Sequence, residues 1–199
     1  MTKHLVIFSD PNYDSFIRNV FETVVDFLSE ERGHDVATRD LYAQGFKPVL
    51  DLEDLENFKQ GVVSQDIKDE QRKIMDADVI TFVSPLWWGS MPAMLKGYIE
   101  RVFSYGFAYE FGEDPLNPIG LLKNKKVLLL TTIGGPDELY KQKGMYEAIG
   151  KTWDWAVFEF CGMNLLGHLY FPGIHHANDQ KRRDYLETLK AQMRILIDN

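Results

Sequence analysis

The strongest constraint on this 199-residue chain is the alternation of short apolar runs with segments of helical spacing. Leu5-Val6-Ile7-Phe8, the stretch Asp78–Val83 and the core Val127-Leu128-Leu129-Leu130 of Lys126–Thr131 are almost wholly apolar. Runs this short without polar alternation suit strands buried on both faces. Two further strands are expected around His34–Thr38 and Asn164–Tyr170. Between them, Ser15–Glu31 puts Phe16, Val20, Val24, Phe27 and Leu28 on one helical face. Asp66–Met75, Pro92–Phe103, Met145–Phe160 and Asn178–Ile197 read as further helices, and Pro92 suits a first helical turn. Five alternations of strand and helix predict a parallel sheet with helices on both faces. The stretch Tyr42–Ser64 reads as irregular, and its acidic part Asp51–Glu56 as solvated. No linker or repeat interrupts the pattern, so residues 1–199 are expected to form a single domain.

Composition narrows the function. A net charge of −8 argues against nucleic acid and anionic membranes as general partners. Cys161 is the only cysteine, which excludes an internal disulfide and reads as a small buried apolar side chain. The start of the chain runs directly into the first strand, and no apolar run approaches membrane-spanning length, so a cytoplasmic protein is expected.

In open α/β sheets ligands bind beyond the carboxyl ends of the strands. Three loops therefore matter. Ser84–Pro92 carries the adjacent Trp87 and Trp88, rings that a flat aromatic ligand could cover, or that pack on the core or a subunit interface. Thr131–Pro136 carries Gly134-Gly135, which either let a ligand approach the backbone closely or simply make a strand-to-helix turn. Ser9–Ser15 precedes a helix start, where N–H groups favour a phosphate, although Asp14 or Ser15 need only be a helix cap. His175-His176 sits in a turn-like place without a third ligand at metal spacing, so no metal site is expected.

Taken together these segments resemble the quinone reductase (DT-diaphorase-like) family of the flavodoxin superfamily. Pro85-Leu86-Trp87-Trp88-Gly89-Ser90-Met91-Pro92-Ala93-Met94-Leu95-Lys96-Gly97-Tyr98-Ile99-Glu100-Arg101-Val102-Phe103 is similar to the family pattern P-L-x-W-x-x-x-P-A-x-L-K-x-x-x-E-R-V-F. Asp40-Leu41-Tyr42 with Phe46 and Pro48, and Phe160-Cys161-Gly162, fall at family spacing. The resemblance implies a flavodoxin-like doubly wound five-stranded parallel sheet of order 2-1-3-4-5. It implies a flavin, FMN in a chain this short and otherwise FAD. The activity implied is transfer of hydride from NADH or NADPH to quinones or to azo and nitroaromatic acceptors. It also implies a homodimer with flavin sites at the interface. Relatives that serve as regulatory subunits of potassium-efflux systems, with a membrane partner, give an alternative reading, and a flavin electron carrier gives another.

Residue by residue, the resemblance puts Asp10, Ser15 and Phe16 beside the flavin phosphate. Pro85, Leu86, Trp87 and Trp88 lie along the isoalloxazine, and Thr132, Ile133, Gly134 and Gly135 at its N1/O2 edge. Tyr140 matches the catalytic tyrosine. Tyr146 stands where relatives often have a histidine, and Asp10 where many carry another. Arg18, one helical turn in, is either an offset to that acid or a solvated helix-surface arginine. Tyr109 and Phe111 are implied to reach the partner subunit's acceptor pocket. Backbone N–H groups and a phenol at the N1/O2 edge would stabilise the charge that develops on reduction, with Tyr140 ahead of Tyr146.

Overall fold

A computed structural model describes residues 1–114 and 116–198. Its elements run β1 (Lys3–Phe8), α1 (Phe16–Asp26), β2 (Asp35–Asp40), α2 (Leu52–Lys59), α3 (Gln65–Asp76), β3 (Val79–Pro85), α4 (Ala93–Val102), β4 (Tyr109–Phe111), β5 (Pro118–Gly120), β6 (Lys126–Thr132), α5 (Asp137–Gln142), α6 (Met145–Ile149), β7 (Asn164–Phe171) and α7 (Asp179–Asp198). Five strands form one parallel sheet in the order β2-β1-β3-β6-β7, and β4 pairs with β5 as a separate antiparallel hairpin. The sheet is the expected one, since its five strands taken in chain order stand as 2-1-3-4-5. Among the described residues no helix is long and apolar enough to cross a membrane.

The unbroken apolar runs follow from this topology. Successive side chains on a strand point to opposite faces. Leu5, Ile7, Ile80, Phe82, Val127 and Leu129 enter one core, with Ile74 of α3, Leu95, Ile99 and Val102 of α4, and Phe158. Val6, Phe8, Val83, Leu128 and Leu130 enter the other, with Ile17, Val20 and Val24 of α1 and Leu189 and Met193 of α7. Both faces are therefore dry over the three central strands, and β1, β3 and β6 must be largely apolar, whereas the edge strand β2 is partly exposed and carries polar residues.

Five details differ from the sequence reading. The stretch Tyr42–Ser64 is not irregular throughout: Asp51 caps α2, its side chain accepting a hydrogen bond from the Asp54 N–H at 2.9 Å. Asp54, expected to be solvated, is buried against Arg101 (Nε to Oδ2, 2.6 Å). The β4–β5 hairpin carries no alternating pattern long enough to read. The expected Met145–Phe160 helix is α-helical only over α6 and continues as a π-type helix over Gly150–Glu159. The first helix likewise ends in a π-type turn over Phe27–Glu31.

The irregular stretch after β2 is fastened to α4. A Cβ added at Gly97 would collide with the Pro48 carbonyl, so only glycine allows this approach. Beside it the Arg101 guanidinium donates to Asp54 twice (2.6 and 3.1 Å), to Asp66 (2.8 Å) and to the Lys47 carbonyl (2.9 Å). Arg39 pairs with the buried Glu70, which also accepts from the Tyr98 hydroxyl at 3.3 Å. A cavity of about 510 Å³ is lined by this knot.

Candidate functional site

At the carboxyl end of the sheet, the loops after β1, β3 and β6 and the turn after β7 enclose a cleft of about 410 Å³. Backbone pairing builds it. Pro85 stands opposite Thr132 in the β3–β6 register, and the Leu86 N–H donates to the Thr132 carbonyl at 2.8 Å. The Ile133 N–H donates to the Phe171 carbonyl at 3.0 Å, and the Gly173 N–H to the Gly135 carbonyl at 2.7 Å. The loops beyond adjacent strands are thus laced together.

Of the residues singled out in the sequence, Asp10, Ser15, Phe16, Pro85, Leu86, Trp87, Thr132 and Gly134 line this cleft. Asp10 is buried and accepts a hydrogen bond from the Asn12 N–H at 3.0 Å. Ser15 is the N-cap of α1, yet its hydroxyl makes no capping bond; that oxygen and the one on Ser9 at the end of β1 are buried without a hydrogen-bond partner. Unpaired buried hydroxyls are costly, and the one on Ser15, a residue of the cleft wall, is available to a ligand.

The two tryptophans part company. Trp87 and Ser90 exchange backbone hydrogen bonds at 3.0 and 2.9 Å, closing a two-residue turn with Trp88 at φ 51° and Gly89 at φ 72°. Two positive φ values are what a type I′ turn requires. Among the described residues Trp88 is the only non-glycine with positive φ, and its ring is fully exposed, whereas Trp87 lies on the cleft wall. A tryptophan in the left-handed region is a strained placement of the kind that clusters at functional sites.

Gly135 and Tyr140 are adjacent but stand outside the cleft wall. A Cβ at Gly135 would lie 2.9 Å from Tyr140 Cε2, so the ring lies over the glycine backbone. Ile133 is fully buried in the core. Tyr146 lies 5.9 Å from Tyr140, ring to ring, and donates to Asp137 at 2.7 Å. Burial and that hydrogen bond push its phenol up from the ordinary value. Behind it the row continues through Tyr170 (4.8 Å) to His168 (4.1 Å, stacked). His168 is pinned by Thr131 and Asp154, both at 2.8 Å, and burial holds its imidazole below the ordinary value despite the carboxylate.

Tyr109 and Phe111 do not join the cleft. They lie on β4 in an aromatic group with Tyr105 and Phe160, at a groove of about 290 Å³ that also reaches Cys161. Burial pushes the Cys161 thiol up to about 12, so it behaves as an apolar side chain. Arg18 is also elsewhere: it pairs with Glu22 (2.9 Å) and Asp40 (3.0 Å). The sequence reading weighed His175 only as a metal ligand and did not single out Arg182; both line the cleft, from the turn after β7 and from α7. No local signal marks them.

A family model described as flavodoxin-like fold matches residues 2–193. The chain is 39% identical over 191 residues to a Haemophilus influenzae protein described as an uncharacterized NAD(P)H oxidoreductase, covering 95% of this chain and 92% of that one. It is 32% identical over 219 residues to NAD(P)H dehydrogenase [quinone] 1 of Cavia porcellus, covering 100% of this chain and 78% of the relative. The solved NAD(P)H:quinone oxidoreductase from Methanothermobacter marburgensis superposes with a TM-score of 0.88 at 28% identity, with 98% of each chain covered.

Proposed function

The chain belongs to the flavodoxin-like family that includes the NAD(P)H:quinone oxidoreductases, an oxidoreductase family, and from that premise we propose that it uses a bound flavin to reduce quinones with NADH or NADPH. The observation that carries the reading is the cleft after β1, β3 and β6, with the unpartnered Ser15 hydroxyl at one end and side-chain-free Gly134 on its wall. These residues fit a flat, phosphorylated cofactor. When bound, the flavin supplies the chemistry of accepting hydride from a nicotinamide and releasing it to an acceptor.

The protein's own part is positioning and electrostatics. Ser15, Asn12 and the first N–H groups of α1 would receive the phosphate, where the helix dipole favours an anion. Pro85, Leu86 and Trp87 would fix the ring plane. The Gly134–Gly135 backbone and Tyr140 would donate hydrogen bonds toward the edge that becomes negative on reduction, without reorganising at that moment. Tyr146 is committed to Asp137 and remains a neutral phenol at physiological pH, so it holds Asp137 and the tyrosine row in place.

FMN is the flavin we propose, with FAD the alternative, and azo or nitroaromatic compounds are further acceptors. A second copy of the chain would complete the acceptor pocket with the half-buried Tyr109 and the exposed Phe111, which flank an apolar groove. Releasing the flavin by denaturation and identifying it chromatographically, then following NADH and NADPH oxidation with menadione, tests the proposal. Yellow protein that oxidises either nicotinamide supports it; yellow protein inert to both marks an electron carrier; protein that takes up no flavin defeats it.

A further inference from the structure

The loop after β6 spends its acceptors and keeps its donors. Three of its four carbonyls from Thr132 to Gly135 already accept hydrogen bonds: Thr132 from the Leu86 N–H (2.8 Å), Ile133 from Ile174 (3.1 Å) and Gly135 from Gly173 (2.7 Å). The N–H groups of Gly134 and Gly135 donate to nothing among the described residues. Backbone donors left over in this way are satisfied by water or by a ligand.

The turn that occupies two of those carbonyls adds a further donor. Gly173, at φ 70°, leads into a single 3-10 turn over Ile174–His176. It brings His175 against Gly134: a Cβ added to that glycine would collide with His175 Cδ2 and Nε2. The Nε2 edge of the imidazole therefore fills the space of the missing side chain. Neither ring nitrogen has a hydrogen-bond partner among the described residues. His175 and Gly134 both line the cleft, together with Thr132, Leu86 and Trp87.

A wall of this kind sorts the edges of a flat heterocycle. It offers N–H groups while its carbonyls are mostly committed, so it suits a ring edge that accepts hydrogen bonds. On a flavin that is the N1/O2 edge, which also gains negative charge on reduction.

We propose that His175 donates a hydrogen bond from its imidazole to the N1/O2 edge of the flavin, beside the Gly134 and Gly135 N–H groups, and so raises the flavin's midpoint potential. This rests on the flavin reading above. A hydrogen bond strengthens as its acceptor gains charge, so the reduced ring is held more tightly than the oxidised one. The role needs a donor and no change of charge on the imidazole.

The test uses the full chain loaded with FMN or, if only that binds, FAD. The midpoint potential is read against a reference dye, with no nicotinamide or acceptor present, for wild type, His175→Phe and His175→Gln. Phenylalanine keeps a ring over Gly134 but has no donor, whereas glutamine returns an N–H close to the place of Nε2. One charge-assisted hydrogen bond corresponds to about tenfold in affinity, here for reduced over oxidised flavin. For a two-electron couple tenfold is about 30 mV. His175→Phe should therefore fall about 30 mV below wild type, and His175→Gln should recover most of that difference. His175 is exposed, so both variants keep the fold. Equal potentials in wild type and His175→Phe, or a His175→Gln potential that falls as far as that of His175→Phe, overturn the role of His175 while the flavin site stands. If wild type takes up neither FMN nor FAD, the flavin reading fails and this inference with it.

Discussion

Two polar cavities of similar size lie on this molecule, and they are built on opposite principles. The larger, between α2, α3 and α4, is lined by ten charged side chains, Arg101, Asp54, Asp66, Arg39, Glu70 and Lys73 among them, and those six are ion-paired with one another. The smaller, at the carboxyl end of the sheet, has fewer charges, and the Ser15 hydroxyl on its wall is unspent. Between these two, charge and volume alone would select the first as a binding site. Hydrogen-bond accounting selects the second, because a knot whose donors already have acceptors has little to offer a ligand.

The largest expected effect separates the two directly. Arg101→Ala leaves Asp54 buried without its partner and should cost about 3–5 kcal/mol in urea unfolding. Its folded fraction should bind flavin with unchanged Kd. A large change in flavin Kd would show that the knot and the cleft are coupled.

Next comes the tyrosine pair. Tyr140→Phe should slow reduction of the flavin by NADPH about a hundredfold in stopped flow, the scale of losing one preorganised donor. Tyr146→Phe should slow it less than about tenfold, because its hydroxyl is spent on Asp137. Equal losses would reverse the ranking.

The glycines sharpen the contrast at a smaller scale. Gly97→Ala drives a methyl into the Pro48 carbonyl and should cost about 1–3 kcal/mol of stability with flavin affinity intact. Gly134→Ala displaces the His175 ring and should weaken flavin binding by about tenfold, roughly 1.4 kcal/mol, with the smaller loss in melting temperature.

The smallest effect concerns an unpaired group far from the cleft. His4, at the start of β1, is buried with neither ring nitrogen bonded, 4.9 Å from His34. Burial first, and then His34, push it down to about 4. The native state therefore resists protonation that the unfolded chain accepts, and stability is lost as pH falls from about 6.5 toward 4. The loss should be about 1–2 kcal/mol by denaturant titration. His4→Leu should flatten that slope. A wild-type slope that persists in the variant would place the acid sensitivity elsewhere, with His168 the next group to examine.

How far the sequence reached depended on the range of the interactions. The three central strands were legible because a sheet covered on both faces demands largely apolar strands, a local and continuous signal; the edge strands β2 and β7 are more exposed and carry a weaker one. The loops after β1, β3 and β6 were legible because topology puts ligands at that end of a parallel sheet. α2 was hidden by acidic residues whose burial depends on Arg101, 47 positions away from Asp54. Trp87 and Trp88 look equivalent in sequence, and only the turn geometry at Trp88 and Gly89 sends one ring to the cleft and the other to solvent.

The sequence by itself determined the layered sheet, its order through the family resemblance, and the three loops that meet at its carboxyl edge, because periodicity and turn chemistry are written in neighbouring residues. Only the tertiary structure decided which charges are consumed and which remain available. Arg18, near the first loop in sequence, is spent on Glu22 and Asp40, while His175 and Arg182 reach the cleft from the far end of the chain. Apart from i,i+4 helix pairs such as Arg18 with Glu22, pairing of charges is a matter of distance in space, which chain separation does not give.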